Sequence, residues 1–394
     1  MHSPDPGPLN DEGGGEQTRL PFVLMRGGTS KAVFLRGNML PSDHHVRDAV
    51  ILSLFGSPDP RQVDGLGGAD LLTSKLAIID PSTRSDADLD YTFAQVSITE
   101  PVVDYDINCG NISAAVGVFA VDEALIEVKE PITTVRIHNT NTGRILLADI
   151  PVVNGAAAVE GAYAIHGVPG TGAAIALDFS QTAGGITGAL LPTGNEMDVL
   201  ETAIGPVEAT LVDLANLTVF FPASAVGMAG TEGPRQINDE QLEAVAAVKK
   251  AAAVLLDMAG DGLTPVPAIV SPPAPYTSYA TGDRVASEDI DLVARVVGGR
   301  PAVLHKAYPG TVGACTGAAA CIPGTTVHDA TTQEREGEVR IGHASGVMPV
   351  QARVSRSGDV WRVDQAAYHR TARRLAEGTA FIRRSAIQAG ATSR

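Results

Sequence analysis

Three cysteines, Cys109, Cys315 and Cys321, are all that this chain of 394 residues holds. So sparse and odd a set is poor material for a disulfide framework; reduced thiols in a cytoplasmic setting fit better. Long apolar runs are also missing, and none is long enough to span a bilayer. The opening stretch MHSPDPGPLNDEGGGEQTRL lacks the apolar centre of a secretory signal. Its Pro, Gly and acidic residues predict a disordered tail over residues 1–20. Basic residues are scarce, with Lys+Arg at 29 against Asp+Glu at 45 and a net charge of −16. Nucleic acid and anionic membrane both require a basic footprint, so neither is expected as a partner. A small anion is not excluded, because a local cluster of cations and amides outweighs a distant acidic surface. Metal-ligand spacings such as H-x-x-x-H and C-x-x-C are absent, which argues against a zinc site. There is no G-x-S-x-G elbow and no G-x-G-x-x-G fingerprint, so a nicotinamide site has no support. No metal and no cofactor are expected.

What is present is length enough for two cores, since a single core stops growing at roughly 250–300 residues. Glycine is abundant at 42 residues, which points to turns and close backbone approaches. Order is expected from Pro21. PFVLM and AVFL (Ala32 to Leu35) read as strands, and Ser42 can cap a helix that stops at Gly56. LAIID (Leu76 to Asp80), YTFAQVSI (Tyr91 to Ile98), TTVRIHN, GRILLADI, EATLVD and LTVFF are further strand candidates. NISAAVGVFAVDEALI reads as a helix of small residues, and Asp239 to Met258 as the longest helix. EVRIGHA, VMPVQARV and VWRVD close the chain as strands. Many strands around few small-residue helices define an α+β architecture. The Gly/Ala/Thr-rich segment Ile175 to Thr193 is read as a crossover between lobes spanning 21–190 and 191–394. Two echoes support related lobes: Gly27-Gly28-Thr29-Ser30-Lys31 with Thr73-Ser74-Lys75, and NCGNISAAVG with ACTGAAAC.

The second echo puts a cysteine at each predicted helix start. Unpaired N–H groups and the helix dipole make such a start a carboxylate site that favours a thiolate. Cys109 there could move a proton at carbon; the other reading is an inert buried thiol. Cys315 admits the same two readings, with packing favoured, and Cys321 is read as core. Lys75, between Thr73-Ser74 and an apolar strand, has a buried stem; burial favours a neutral amine able to act as a base, unless the side chain snorkels to water. Arg26 to Lys31 resembles an anion cradle, with Gly28 admitting the ligand, Thr29 and Ser30 donating, and Arg26 offering a fork. The alternative is a tight turn. His305-Lys306 and the Gly342 to Gly346 loop are weaker carboxylate contacts.

Several blocks, in order, resemble the PrpF family: MRGGTSK (Met25 to Lys31), GLGGADLLTSKLAII (Gly65 to Ile79), NCGNISAAVGVFAV (Asn108 to Val121), NTNTGR (Asn139 to Arg144), HKAYPGTVGACTGAAACIPGT (His305 to Thr325), IGHASG (Ile341 to Gly346) and RTARRLAEG (Arg370 to Gly378). The family includes 2-methylaconitate cis–trans isomerase, methylitaconate Δ-isomerase and 4-oxalomesaconate tautomerase. The resemblance implies a diaminopimelate-epimerase-like fold, two similar lobes each with a β-barrel-like sheet around a central helix. It implies a cofactor-independent isomerase acting on a small anionic polycarboxylate, with catalytic Lys75 and Cys109. Cys315 resembles the second cysteine of the epimerases, without the glycine that follows it there. On this reading Arg26, Gly28, Thr29, Ser30, Ser74, Asn108, Gly110, Asn111, Lys306 and Ser345 bind the carboxylates. Two rivals remain at this point: a two-cysteine racemase or epimerase on the same fold, and a non-catalytic small-acid binder. The oligomeric state is open, a homo-oligomer included.

Overall fold

The computed structural model describes residues 15–259, 262–299, 301–331 and 337–392. Residues 1–14 of the expected tail lie outside the described residues. Gln17 to Leu20, also assigned to that tail, already belong to the first strand, β1 (Gln17–Gly27), in which Thr18 and Leu20 are buried. The reason is distant in sequence. β1 pairs antiparallel with the strand Ala372–Arg383, from Gln17 opposite Arg383 to Gly27 opposite Ala372.

β1 turns into β2 (Ser30–Arg36), which runs parallel to β3 (Lys75–Pro81) with Ala32 opposite Lys75. β3 pairs antiparallel with β4 (Leu89–Val96), placing Lys75 opposite Gln95. The crossover between β2 and β3 carries α1 (His44–Phe55). Asp43, not Ser42, caps it: the Asp43 carboxylate accepts from the Val46 and His45 N–H groups, and Gly56 ends the helix at φ 72° as expected. The sheet continues through Ile132–Asn139, Arg144–Val153 and Ile175–Asp178 to Val360–Arg370. It encloses α2 (Gly110–Asp122), which is buried from Gly110 to Val121. Small residues permit this enclosure. Gly117 faces Ile150 so closely that an added Cβ would lie 2.6 Å from its Cδ1. Each large apolar side chain on α2, such as Ile112 or Phe119, contributes about 1.5–3 kcal/mol by burial.

The sheet is continuous with a second half, joined where Gly346–Ser357 pairs with Val360–Arg370, which repeats the plan with Gly205–Leu214, Asn216–Pro222, Val266–Ser271, Leu292–Gly298, Val339–His343 and Gly346–Ser357. Outside it lies α3 (Asp239–Leu255), started by a reciprocal cap between Asn238 and Gln241. Inside it lies α4 (Gly310–Ala320), buried at every residue. The two-lobed α+β architecture is therefore the observed one. The division at residue 190 separates the two central helices, but the strands pair otherwise. Val360–Arg370 and Ala372–Arg383 return to complete the first half of the sheet. Among the described residues no helix is long and apolar enough to cross a membrane.

The two central helices meet start to start. A Cβ on Gly110 or Gly310 would lie 2.1 Å from the Tyr368 hydroxyl oxygen, so only glycine lets the two starts converge on that ring.

Candidate active site

Two backbone features build the site. The first is the start of α2. Cys109 is its N-cap in extended conformation, and no side chain caps the helix. The first turn's N–H groups thus lack a side-chain acceptor beside the thiol. The second is the register of β3 and β4. Lys75 opens β3, and its Nζ donates to Gln95 Oε1 at 2.7 Å. Gln95 is oriented in turn, because its Nε2 donates to the Ser74 carbonyl at 2.8 Å. The Lys75 ammonium position lies 5.1 Å from the Phe93 ring centroid, and the Cys109 thiol is near enough to act on its charge. Burial pushes the Lys75 amine below its ordinary value, with Cys109 and then Asp70 opposing that shift. Lys75 is 5% exposed and Cys109 9%, so this is an amine–thiol pair held out of bulk water.

The pair faces a cavity of about 220 Å³ that Ser30, Asn108, Asn111, Asn216, His305 and Pro309 also line. Ser30 is 2% exposed, and its hydroxyl has no hydrogen-bond partner among the described residues. Asn108 Oδ1 accepts from the Cys109 N–H at 2.7 Å and from Asn139 Nδ2 at 3.2 Å. Asn216 reaches across from the second lobe, accepting from the Asn108 N–H at 2.8 Å and donating to its carbonyl at 3.0 Å. Asn111 donates to Thr29 Oγ1 at 3.0 Å and accepts from Arg370 Nε at 2.9 Å. Arg370 is buried and lies 4.4 Å over the Tyr368 ring. Burial, and then the Lys75 charge, hold the His305 imidazole down at about 4, so it is neutral near pH 7.

Several expected residues are placed elsewhere. Cys315 is not at a helix start. It lies in the middle of α4, fully buried, with its thiol directed at the Val212 and Asn216 carbonyls at 3.5 and 3.8 Å. Burial pushes it up to about 12. Matching the helix starts pairs Cys109-Gly110-Asn111 with Pro309-Gly310-Thr311, so the position facing Cys109 holds a proline. Cys315→Ala is therefore expected to keep wild-type turnover and to cost about 1 kcal/mol of stability through lost burial; the rate and the urea midpoint check it. Arg26 is turned toward backbone carbonyls and is not among the residues lining the cavity. Its Nη1 donates to the Gly28 and Thr371 carbonyls at 3.0 and 2.9 Å. Gly28 serves the turn, at φ +51° and with a virtual Cβ 2.3 Å from Asn111 Oδ1. Ser74 is fully buried and donates to Gln62 Oε1 at 2.6 Å. Lys306 pairs with Asp70 at a neighbouring cavity, and the Ser345 hydroxyl donates to the Lys306 carbonyl.

Gln95, Asn216, Tyr368 and Arg370 escaped the sequence reading. Gln95 stands alone as an amide in the apolar run YTFAQV, and Asn216 in LANLTVFF. A lone amide in a buried strand requires a polar partner, and that was the available signal.

Two enclosed helices meeting start to start, with an amine–thiol pair at one of them, define a two-lobed epimerase-like protein. The PrpF protein family model matches residues 17–383, and the chain belongs to that family. The 3-methylitaconate isomerase of Eubacterium barkeri is 50% identical over 383 residues, 94% of this chain and 99% of that protein. The 2-methyl-aconitate isomerase of Shewanella oneidensis is 38% identical, covering 93% of this chain and 97% of that one. A solved methylitaconate-delta-isomerase superposes with a TM-score of 0.76 at 49% identity, covering 95% of this chain and 98% of that one. A hydroxyproline epimerase from Agrobacterium vitis shares the fold at TM-score 0.57 and 10% identity, over 93% of each chain.

Proposed function

We propose that this protein is an isomerase that moves a proton, and with it a double bond, on an unsaturated alkyl-substituted dicarboxylic acid of the methylitaconate type. The observation that carries this reading is the Lys75–Cys109 pair at the uncapped start of α2. The Lys75 amine, favoured in its neutral form by burial, takes a proton from the carbon next to the C=C bond. The electron pair spreads over a dienolate whose charge rests on a carboxylate oxygen, which the first N–H groups of α2 and the amides of Asn108 and Asn111 can meet. The Cys109 thiol then protonates the far end. Ammonium and thiolate remain, and because the two groups are close electrostatic neighbours in the cavity wall a proton passes back from one to the other and the pair is reset.

Charge and shape support a dicarboxylate over a tricarboxylate. Among the described residues, Lys75 and Lys249 are the only Lys or Arg lining the cavity, and Lys249 donates to the Gly262 carbonyl. The other walls include Leu71, Leu242, Val245, Leu263, Val266 and Val296, apolar surface suited to an alkyl substituent. Following absorbance with methylitaconate, 2-methylaconitate, aconitate and 4-oxalomesaconate is the test. The first should show the highest kcat/KM, and preference for a tricarboxylate would overturn this choice. The buried Cys315, facing away from Cys109 toward backbone carbonyls, counts against the two-cysteine epimerase.

Among the described residues no group of three His, Cys, Asp or Glu is placed to hold a metal ion. Dialysis against a chelator is expected to leave the rate unchanged; a loss restored by one added metal would contradict this. The same reading places the protein in the cytoplasm.

A further inference from the structure

Beside the catalytic cavity lies a second one of about 320 Å³, and the two share Leu71, Gln95, Gly299 and His305 as walls. Among the described residues, three charged side chains line the second cavity: Asp70, Arg235 and Lys306. Asp70 comes from the first lobe and the two cations from the second. Lys306 is paired with Asp70 across the cleft. Arg235 is exposed and has no carboxylate partner among the described residues.

The Asp70 carboxylate is itself anchored. Its Oδ1 accepts from the Leu72 N–H at 2.9 Å, and the Asp70 carbonyl accepts from Thr73 and Ser74 N–H groups at 3.0 Å each. That turn leads directly into Lys75. Lys306 is held from behind by the Ser345 hydroxyl on its carbonyl, next to His305, which lines both cavities. The pair remains within reach of solvent, with side chains 46% exposed for Lys306 and 26% for Asp70.

From this arrangement we infer that the second cavity is an entry subsite for a carboxylate, in which an incoming dianion displaces Asp70 from Lys306 while Arg235 takes its second charge. Asp70 acts as an internal stand-in for that carboxylate in the empty protein. An exposed ion pair of this kind is weak enough to be exchanged, whereas a carboxylate held by two cations is bound by charge-assisted bonds. The inference rests on the proposed function for the nature of the ligand, but not on the catalytic roles of Lys75 and Cys109.

Calorimetric titration with succinate, a saturated dicarboxylate with no double bond to move, tests it on the full chain. Asp70→Asn keeps the acceptor for the Leu72 N–H and removes the competing charge, and should tighten succinate up to about fivefold. Lys306→Met should weaken it about tenfold, and Arg235→Met should weaken it by a smaller factor. In the Asp70→Asn, Lys306→Met double variant the gain from Asp70→Asn should vanish, which a merely structural role for the pair would not produce. Unchanged or weaker succinate binding by Asp70→Asn overturns the inference. So does a gain that survives in the double variant. The two readings separate in the same set of proteins. Turnover of unsaturated acids without any Asp70→Asn effect on succinate overturns the subsite alone. Succinate binding that responds as described, with no turnover of any unsaturated acid, overturns the isomerase reading alone.

Discussion

Lys75→Met is expected to lose isomerisation almost completely while keeping its fold and part of its affinity for substrate. The variant keeps the buried stem and deletes only the amine. It leaves Gln95 Oε1 without its donor at 2.7 Å, a cost of about 1–3 kcal/mol that the removal of a desolvated amine partly offsets. Circular dichroism and the melting transition should therefore stay near wild type. Chemistry should not, because a positioned general base contributes roughly 10²–10⁴-fold. The pH profile supplies a second readout. Burial lowers the Lys75 amine from its ordinary 10.5, so the neutral, active form accumulates at lower pH than for a free lysine. The wild-type rate should rise as pH climbs through that lowered value. The residual activity of Lys75→Met should lack that limb. In heavy water, wild-type turnover should place deuterium at the allylic carbon. Wild-type turnover by the variant, or no deuterium uptake, would remove Lys75 from the mechanism.

Cys109→Ser should fold normally and fall by a comparable factor. Serine is nearly isosteric and can keep the extended N-cap conformation of Cys109. Its hydroxyl is a far weaker acid than a thiol, so delivery of the second proton becomes slow. KM should change little, because Asn108, Asn111 and the first turn of α2 remain in place. A twin measurement separates the two roles. If Lys75 abstracts and Cys109 delivers, Cys109→Ser should still wash the substrate's allylic proton out into heavy water faster than it forms product. Lys75→Met should do neither. Wild-type product formation by Cys109→Ser would end the case for the thiol.

The difference between the two cysteines shows where reading the chain in order reaches its limit. Both stand beside glycine and alanine runs, and both runs are helices. Which residue opens each helix depends on what the first turn packs against. For α4 that is Gly310 under the Tyr368 hydroxyl, and Tyr368 lies on a strand from far along the chain. The contacts of Arg26 in the stretch Arg26 to Lys31 were out of reach for a related reason. The turn is real, but its arginine is taken by the Thr371 carbonyl on a returning strand. Of that group, Ser30 is the one whose buried hydroxyl stands at the cavity wall without a partner among the described residues.

By itself the sequence determined the strands and the small-residue helices. These depend on local spacing and residue type: apolar runs that must be buried, and Gly and Ala where a helix is to be enclosed by a sheet. Only the tertiary structure decided that Gln95 orients Lys75, that Asn216 crosses between lobes to hold Asn108, that Asp70 occupies Lys306, and that Cys315 lies buried in the middle of α4 and not at its start. Each of these is a contact between residues brought together by strand pairing or lobe closure, and no local pattern encodes a distance between segments that meet only after the chain has folded.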